Sequence, residues 1–223
     1  MAALTGSASP NVTPFRIEMP RSRVRKAAKY GLKRSWKPAR HRELILYLVG
    51  LGLVGTCVLV PTFHYWGYFR AERAFAADAG RGKAALAEVE KVEDHGRSVL
   101  PADTVHVYDE VFPTSGPYDP IWANAGFYST SRSPTLLVHS LERGYVVIYY
   151  DDPGSDVLNT LRQWAGLFHE DRDGVIVVPY PGLDEAIVLT AWQRRLRLSQ
   201  FDSNAAAAFI DAFRGRGPER QVR

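Results

Sequence analysis

One histidine stands in a run that combines several reactive side-chain types: Leu137-Val138-His139-Ser140-Leu141-Glu142-Arg143-Gly144 brings an imidazole, a hydroxyl and two charges together. An imidazole titrates near neutrality, accepts or donates protons and ligates metals, so two chemistries come into question. The first is a copper or zinc site shared with other histidines, for which His95, His106 and His169 are on hand. The second is hydrolysis, with Ser115 or Ser140, His139 and Asp151 as nucleophile, base and orienting acid. Spacing supports neither. The chain has no Gly-x-Ser-x-Gly elbow, and a lone histidine between Val138 and Leu141 reads first as a packed residue with hydrogen-bonded ring nitrogens. His139 therefore remains a weak metal candidate, and the sequence is read as non-catalytic, with no cofactor.

A different chemistry, recognition, is suggested just upstream. Phe112-Pro113-Thr114-Ser115-Gly116-Pro117-Tyr118 is followed by Trp122-Ala123 and Gly126-Phe127-Tyr128, a stretch rich in aromatics and poor in regular periodicity. Prolines fix φ and Gly116 allows a tight bend, so the loop is expected to be a rigid surface feature. Tyr118, Trp122, Phe127 and Tyr128 would supply contact area at low entropic cost, and Arg143 a permanently charged planar group for a partner's carboxylate. These five residues are the expected partner-binding set. Asp109, Glu110, Asp151 and Asp152 read as a solvated edge and a strand-end turn.

What positions this region begins with a helix. Leu44 to Phe69 runs for 26 residues without Asp, Glu, Lys or Arg, enough at about 1.5 Å per residue to cross a hydrocarbon core about 30 Å thick. Tyr47 at one end and Phe63, Tyr65, Trp66, Tyr68 and Phe69 at the other resemble interfacial belts. A cleaved signal peptide ending near Ala74-Phe75-Ala76 is the weaker reading, because its apolar core would be far shorter and closer to the cleavage site. Between Ser22 and the run stand nine basic residues (Arg23, Arg25, Lys26, Lys29, Lys33, Arg34, Lys37, Arg40 and Arg42), against four in the 20 residues after it. The expected topology is a single pass through the cytoplasmic membrane, with the N-terminus inside and the C-terminal domain exported.

The formal charge of +4 conceals a division, since residues 1–43 hold 11 basic and 2 acidic residues and the rest hold 17 and 22. Such an arm belongs against anionic headgroups, at about 1 kcal/mol per basic residue near the surface, and carries no nucleic-acid recognition motif. The sole cysteine, Cys57, lies within the apolar run. An exported domain would have no disulfide and must hold together by its core.

The expected organisation is a basic arm (1–43), a transmembrane helix (44–69), a helical stalk (70–95, with Lys83 to Glu93 helical and Gly80 or Gly82 a break), an exported domain (96–219) and a tail. Within the domain, strands are expected at 105–111, 144–150, 175–178 and 186–192. Helices are expected at 156–168, capped by Ser155, and at 204–213. The order predicts a small α+β sandwich, with the Tyr145 and Val175 strands parallel and one face carrying the two helices.

The motifs of this domain resemble a bacterial family catalogued as domain of unknown function 3105. The matching elements are Pro113-Thr114-Ser115-Gly116-Pro117, Trp122-Ala123, Gly126-Phe127-Tyr128, Val138-His139-Ser140-Leu141-Glu142 and, downstream, Pro179-Tyr180-Pro181, Thr190-Ala191-Trp192 and Phe213 to Glu219. The resemblance implies a membrane-anchored exported domain. It also implies histidines where this chain has Val99, Tyr118 and Arg143, leaving only His139 of four, so this is expected to be a degenerate member. The functional expectation is an accessory subunit of a larger membrane complex, with energy-transducing assemblies, photosynthetic or respiratory, among the candidates. Its partners would be the other subunits and an anionic bilayer. The alternative is a copper- or zinc-binding or delivery protein.

Overall fold

A computed structural model describes residues 39–101 and 104–223. Of the nine basic residues assigned to the membrane surface, Arg23, Arg25, Lys26, Lys29, Lys33, Arg34 and Lys37 lie outside the described residues, while Arg40 and Arg42 are exposed on the first helix. That helix, α1, runs Ala39–Arg81 with Pro61 inside it. Among the described residues it is the one helix long and apolar enough to cross a membrane.

The chain divides into two compact units, Met1–Val58 and Leu59–Arg223. In the second, the end of α1 belongs to the core. Phe75 is 5% exposed, and its ring meets Trp164 at 5.8 Å and Phe168 at 4.6 Å. The helix stops where Gly82 comes so close to the backbone of Asn204 that a Cβ would fall 1.9 Å from its carbonyl oxygen.

The expected helical stalk beyond Lys83 is corrected here. Gly82–Glu88 tightens into a 3-10 turn, and Glu90–Lys91 forms β1, pairing antiparallel with Arg194 and Arg195. Helix propensity over Lys83 to Glu93 is overridden by tertiary pairing. The strand expected at 105–111 is also absent, because no neighbour pairs with it; Val105 and Val107 stay 90% and 82% exposed. β-branched residues favour a strand only where a sheet surface receives them.

The remaining elements are β2 (Gly126–Phe127), α2 (Pro134–Arg143), β3 (Val146–Tyr150), α3 (Ser155–Leu167), β4 (His169–Glu170), β5 (Asp173–Pro179), β6 (Ile187–Ala191), β7 (Arg194–Leu198) and α4 (Ser203–Phe213). They build one mixed sheet in the order β1-β7-β6-β3-β5-β2, with β4 attached to β5. β3 and β5 are parallel as expected, in register from Val146 opposite Val175 to Tyr150 opposite Pro179. The α3 crossover supplies the connection that a parallel pair requires.

Alternation along the strands makes two cores. Val146, Ile148, Val175, Val177, Ile187 and Leu189 face α3, α4 and the end of α1, whereas Val147, Tyr149, Ile176, Val178 and Val188 face α2. The two expected helices thus share one face, and a third covers the other. Its limits follow local rules: Pro134 starts the first turn, and Gly144, at φ 104°, closes it in a left-handed conformation.

Candidate functional site

The last turns of α2 gather the side chains with chemical character. His139 Nδ1 lies 2.8 Å from the Asp119 carbonyl. On one side the Tyr118 ring stacks on the imidazole with centroids 4.6 Å apart, and the Trp122 ring meets it edge-on at 5.4 Å. One turn further, the Arg143 guanidinium lies 3.9 Å from the Trp122 centroid. Its own charge is matched by Asp171 at 2.5 Å and Glu219 at 3.4 Å. That hydrogen bond from Arg143 holds the Asp171 carboxyl below its usual range.

Glu142, beside Arg143, is a residue that sequence reasoning missed. Its side chain is buried, with Arg97 Nη1 3.9 Å from its carboxylate. Burial pushes its pKa upward, and the nearby Glu219 adds to the shift. The available signal was its place in the last turn of a helix, where an acidic side chain meets the negative end of the dipole.

The expected partner-binding set does not form one surface. Tyr118 is 8% exposed and Arg143 7%; both are turned inward, and Arg143's carboxylate partners belong to this chain rather than to another, which corrects the expectation for those two. Phe127 and Tyr128 sit on the edge strand and just after it, pointing to opposite faces: Phe127 stacks on Tyr150 at 5.5 Å, and Tyr128 donates its hydroxyl to the Asn124 carbonyl at 2.7 Å. Trp122, at 39% exposure, is the member of the cluster that presents itself to solvent.

The Pro-Thr-Ser-Gly-Pro loop is likewise buried and not a surface feature. Ser115 accepts a hydrogen bond from the His95 backbone N–H at 2.9 Å and donates to the Glu93 carbonyl at 3.2 Å, so its hydroxyl pins the chain entering the domain.

The proposed hydrolytic residues are spent elsewhere. Ser140 Oγ donates to the Ala123 carbonyl and accepts from its N–H, and Asp151 accepts from the Gly182 N–H. His95 and His106 line a cavity of about 310 Å3 with Tyr108, Asp109 and Glu110, and His169 bonds the Gly166 carbonyl at the end of α3. Among the described residues, no group of three or more His, Cys, Asp or Glu is arranged to hold a metal ion.

The positions at which the family resemblance implies histidine are nonetheless contiguous. Val99 bridges Tyr118 through the backbone, Tyr118 stacks on His139, and residue 143 lies one turn from His139 on the same helix face.

The family model described as protein of unknown function (DUF3105) matches residues 101–223. No curated protein and no solved structure matches the chain.

Proposed function

We propose that this chain, which belongs to the DUF3105 family, is a non-catalytic, single-pass accessory subunit that fastens onto a larger membrane complex. In this reading α1 crosses the cytoplasmic membrane with its basic N-terminal arm inside, and the sheet domain stands outside. The observation that carries it is the state of Trp122: a half-exposed indole braced by Arg143 on its face and His139 at its edge. A large aromatic fixed before binding loses little entropy on docking, which is what an interface anchor requires. The reactive groups around it are committed to internal hydrogen bonds and ion pairs, and that favours recognition over catalysis.

The test is purification of the full-length chain from its native membrane in mild detergent, with mass spectrometry of what co-elutes. A stoichiometric set of membrane subunits, lost on Trp122→Ala, supports the reading; a chain that elutes alone from intact membranes sinks it.

A second reading, metal binding or delivery, draws on the contiguity of Val99, Tyr118, His139 and Arg143. Members with imidazoles at all four positions would assemble the ligand set that copper or zinc needs. In this chain an aromatic ring and a paired guanidinium fill that place instead, so the accessory role is preferred. Metal analysis of the purified protein separates the two.

A further inference from the structure

The junction between α1 and the domain is incompletely filled. Tyr68 donates its hydroxyl to the Leu167 carbonyl at 3.4 Å. Beside that bridge a groove of about 380 Å3 opens between Phe63, Gly67 and Ala71 of the helix and Gln163, Gly166 and Leu167 of α3. A Cβ built on either glycine meets nothing within 4 Å. The absent side chains therefore leave open space and relieve no clash.

The shape and surroundings narrow the occupant. The volume is within the range of small-ligand sites, about 300 to 1,000 Å3, whereas a helix about 10 Å across would not enter it. The walls are mostly carbon, with Gln163 and the Tyr68 hydroxyl as their polar side-chain groups. The groove also runs into the exposed aromatic surface of the helix, where Phe63 is 81%, Tyr65 74% and Trp66 61% exposed. Arg70 is the first cation along the helix after the uncharged run. Aromatic side chains followed by a cation are the surface that an acyl-chain boundary and a phosphate favour.

Resting on the membrane reading of α1, we propose that this groove holds one acyl chain of a membrane glycerophospholipid, with its headgroup at the aromatic belt. The bound lipid would fill the root of the domain and fix its seat on the bilayer.

The experiment uses the full-length chain in vesicles of phosphatidylglycerol and phosphatidylethanolamine, with a photoreactive benzoylphenylalanine in place of Gln163. Flotation with the vesicles comes first; a chain that does not float defeats the membrane reading itself and this proposal with it. For a chain that floats, irradiation is expected to give an adduct of one chain and one phospholipid. Gly67→Leu and, from the domain side, Gly166→Leu should each cut that adduct several-fold, while Gly80→Leu, off the groove, should leave it. A floating chain that yields no lipid adduct, an adduct to protein only, or an adduct undiminished by both filling substitutions overturns the proposal.

Discussion

The Arg143 guanidinium lies 3.9 Å from the centroid of the Trp122 ring while it bonds Asp171 at 2.5 Å, so one side chain ties an exposed aromatic to the turn before β5. A cation over an indole contributes about 0.5 to 2 kcal/mol, and the fixed orientation matters as much as the energy.

Trp122 and Tyr118 should separate under substitution. If the proposed complex exists, Trp122→Ala is expected to weaken association with it by about 1 to 4 kcal/mol while changing domain stability little. Tyr118→Ala removes a buried ring stacked on His139 and should lower stability by about 2 to 5 kcal/mol. Co-purification yield and thermal unfolding, measured on both variants, check the pair; equal destabilisation would mean that Trp122 is core.

Glu142 makes the stability of the domain depend on pH in a definite direction. Its folded pKa is raised, first by burial, so the protonated form is favoured: its contribution is fully present below the unfolded pKa and is lost as pH rises through the folded one. Glu142→Gln should therefore match the parent protein in acid and exceed it in melting temperature above that window. Asp171 acts oppositely, since its lowered pKa gives stability above the unfolded value that is lost as pH falls through the folded one. Melting curves across pH 4 to 8 read the first effect; a constant offset between Glu142→Gln and the parent would refute it.

Gly82 and Gly80, two residues apart, should respond in opposite ways to alanine. At Gly82 the new methyl meets the Asn204 carbonyl and must separate the helix end from α4, at a cost of about 1 to 3 kcal/mol. At Gly80 nothing lies within 4 Å, and alanine should stabilise the exposed helix by up to about 1 kcal/mol. Thermal unfolding of the full-length protein in detergent compares them.

The double variant Tyr118→His, Arg143→His adds two imidazoles beside His139. It is expected to bind copper or zinc more tightly than the parent chain, a gain abolished again by His139→Ala. Metal content after dialysis decides this, and a double variant that stays metal-free would remove the second functional reading. The carboxylates that Arg143 leaves behind, Asp171 and Glu219, are 65% and 34% exposed at the side chain, so water can take its place.

Much of the sheet was legible because β3, β5 and β6 are short β-branched runs whose neighbours could only be buried, and the spacing of Leu161, Trp164 and Ala165 set the inner face of α3. Other elements were hidden for identifiable reasons. β1 and β7 carry Glu, Lys and Arg where a strand is usually read from apolar alternation; here charge pairs do that work, with Arg195 bonding Glu90 across the strands at 2.8 Å and Glu110 of the preceding loop region at 2.9 Å. α2 carries its start and stop signals in Pro134 and Gly144, but its apolar residues Leu137, Val138 and Leu141 are interleaved with buried polar ones, which blurs the helical period. At the site, the grouping of Tyr118, His139 and Arg143 depends on a loop folding back over a helix, which spacing along the chain does not encode. The inward turn of Tyr118 was hidden for the same reason, since an aromatic in an aperiodic loop gives no sign of which way it faces.

Because Phe75 and Ala79 are core residues and Gly82 lies against the Asn204 backbone, the last turns of the helix are held by the domain. The helix from Leu59 onward turns with the domain as a handle turns with its blade. One residue inserted between Phe69 and Phe75 would swing the domain by about 100° around the helix and lift it by about 1.5 Å. The azimuth at which Trp122 looks outward is thus written into the number of residues in that helix.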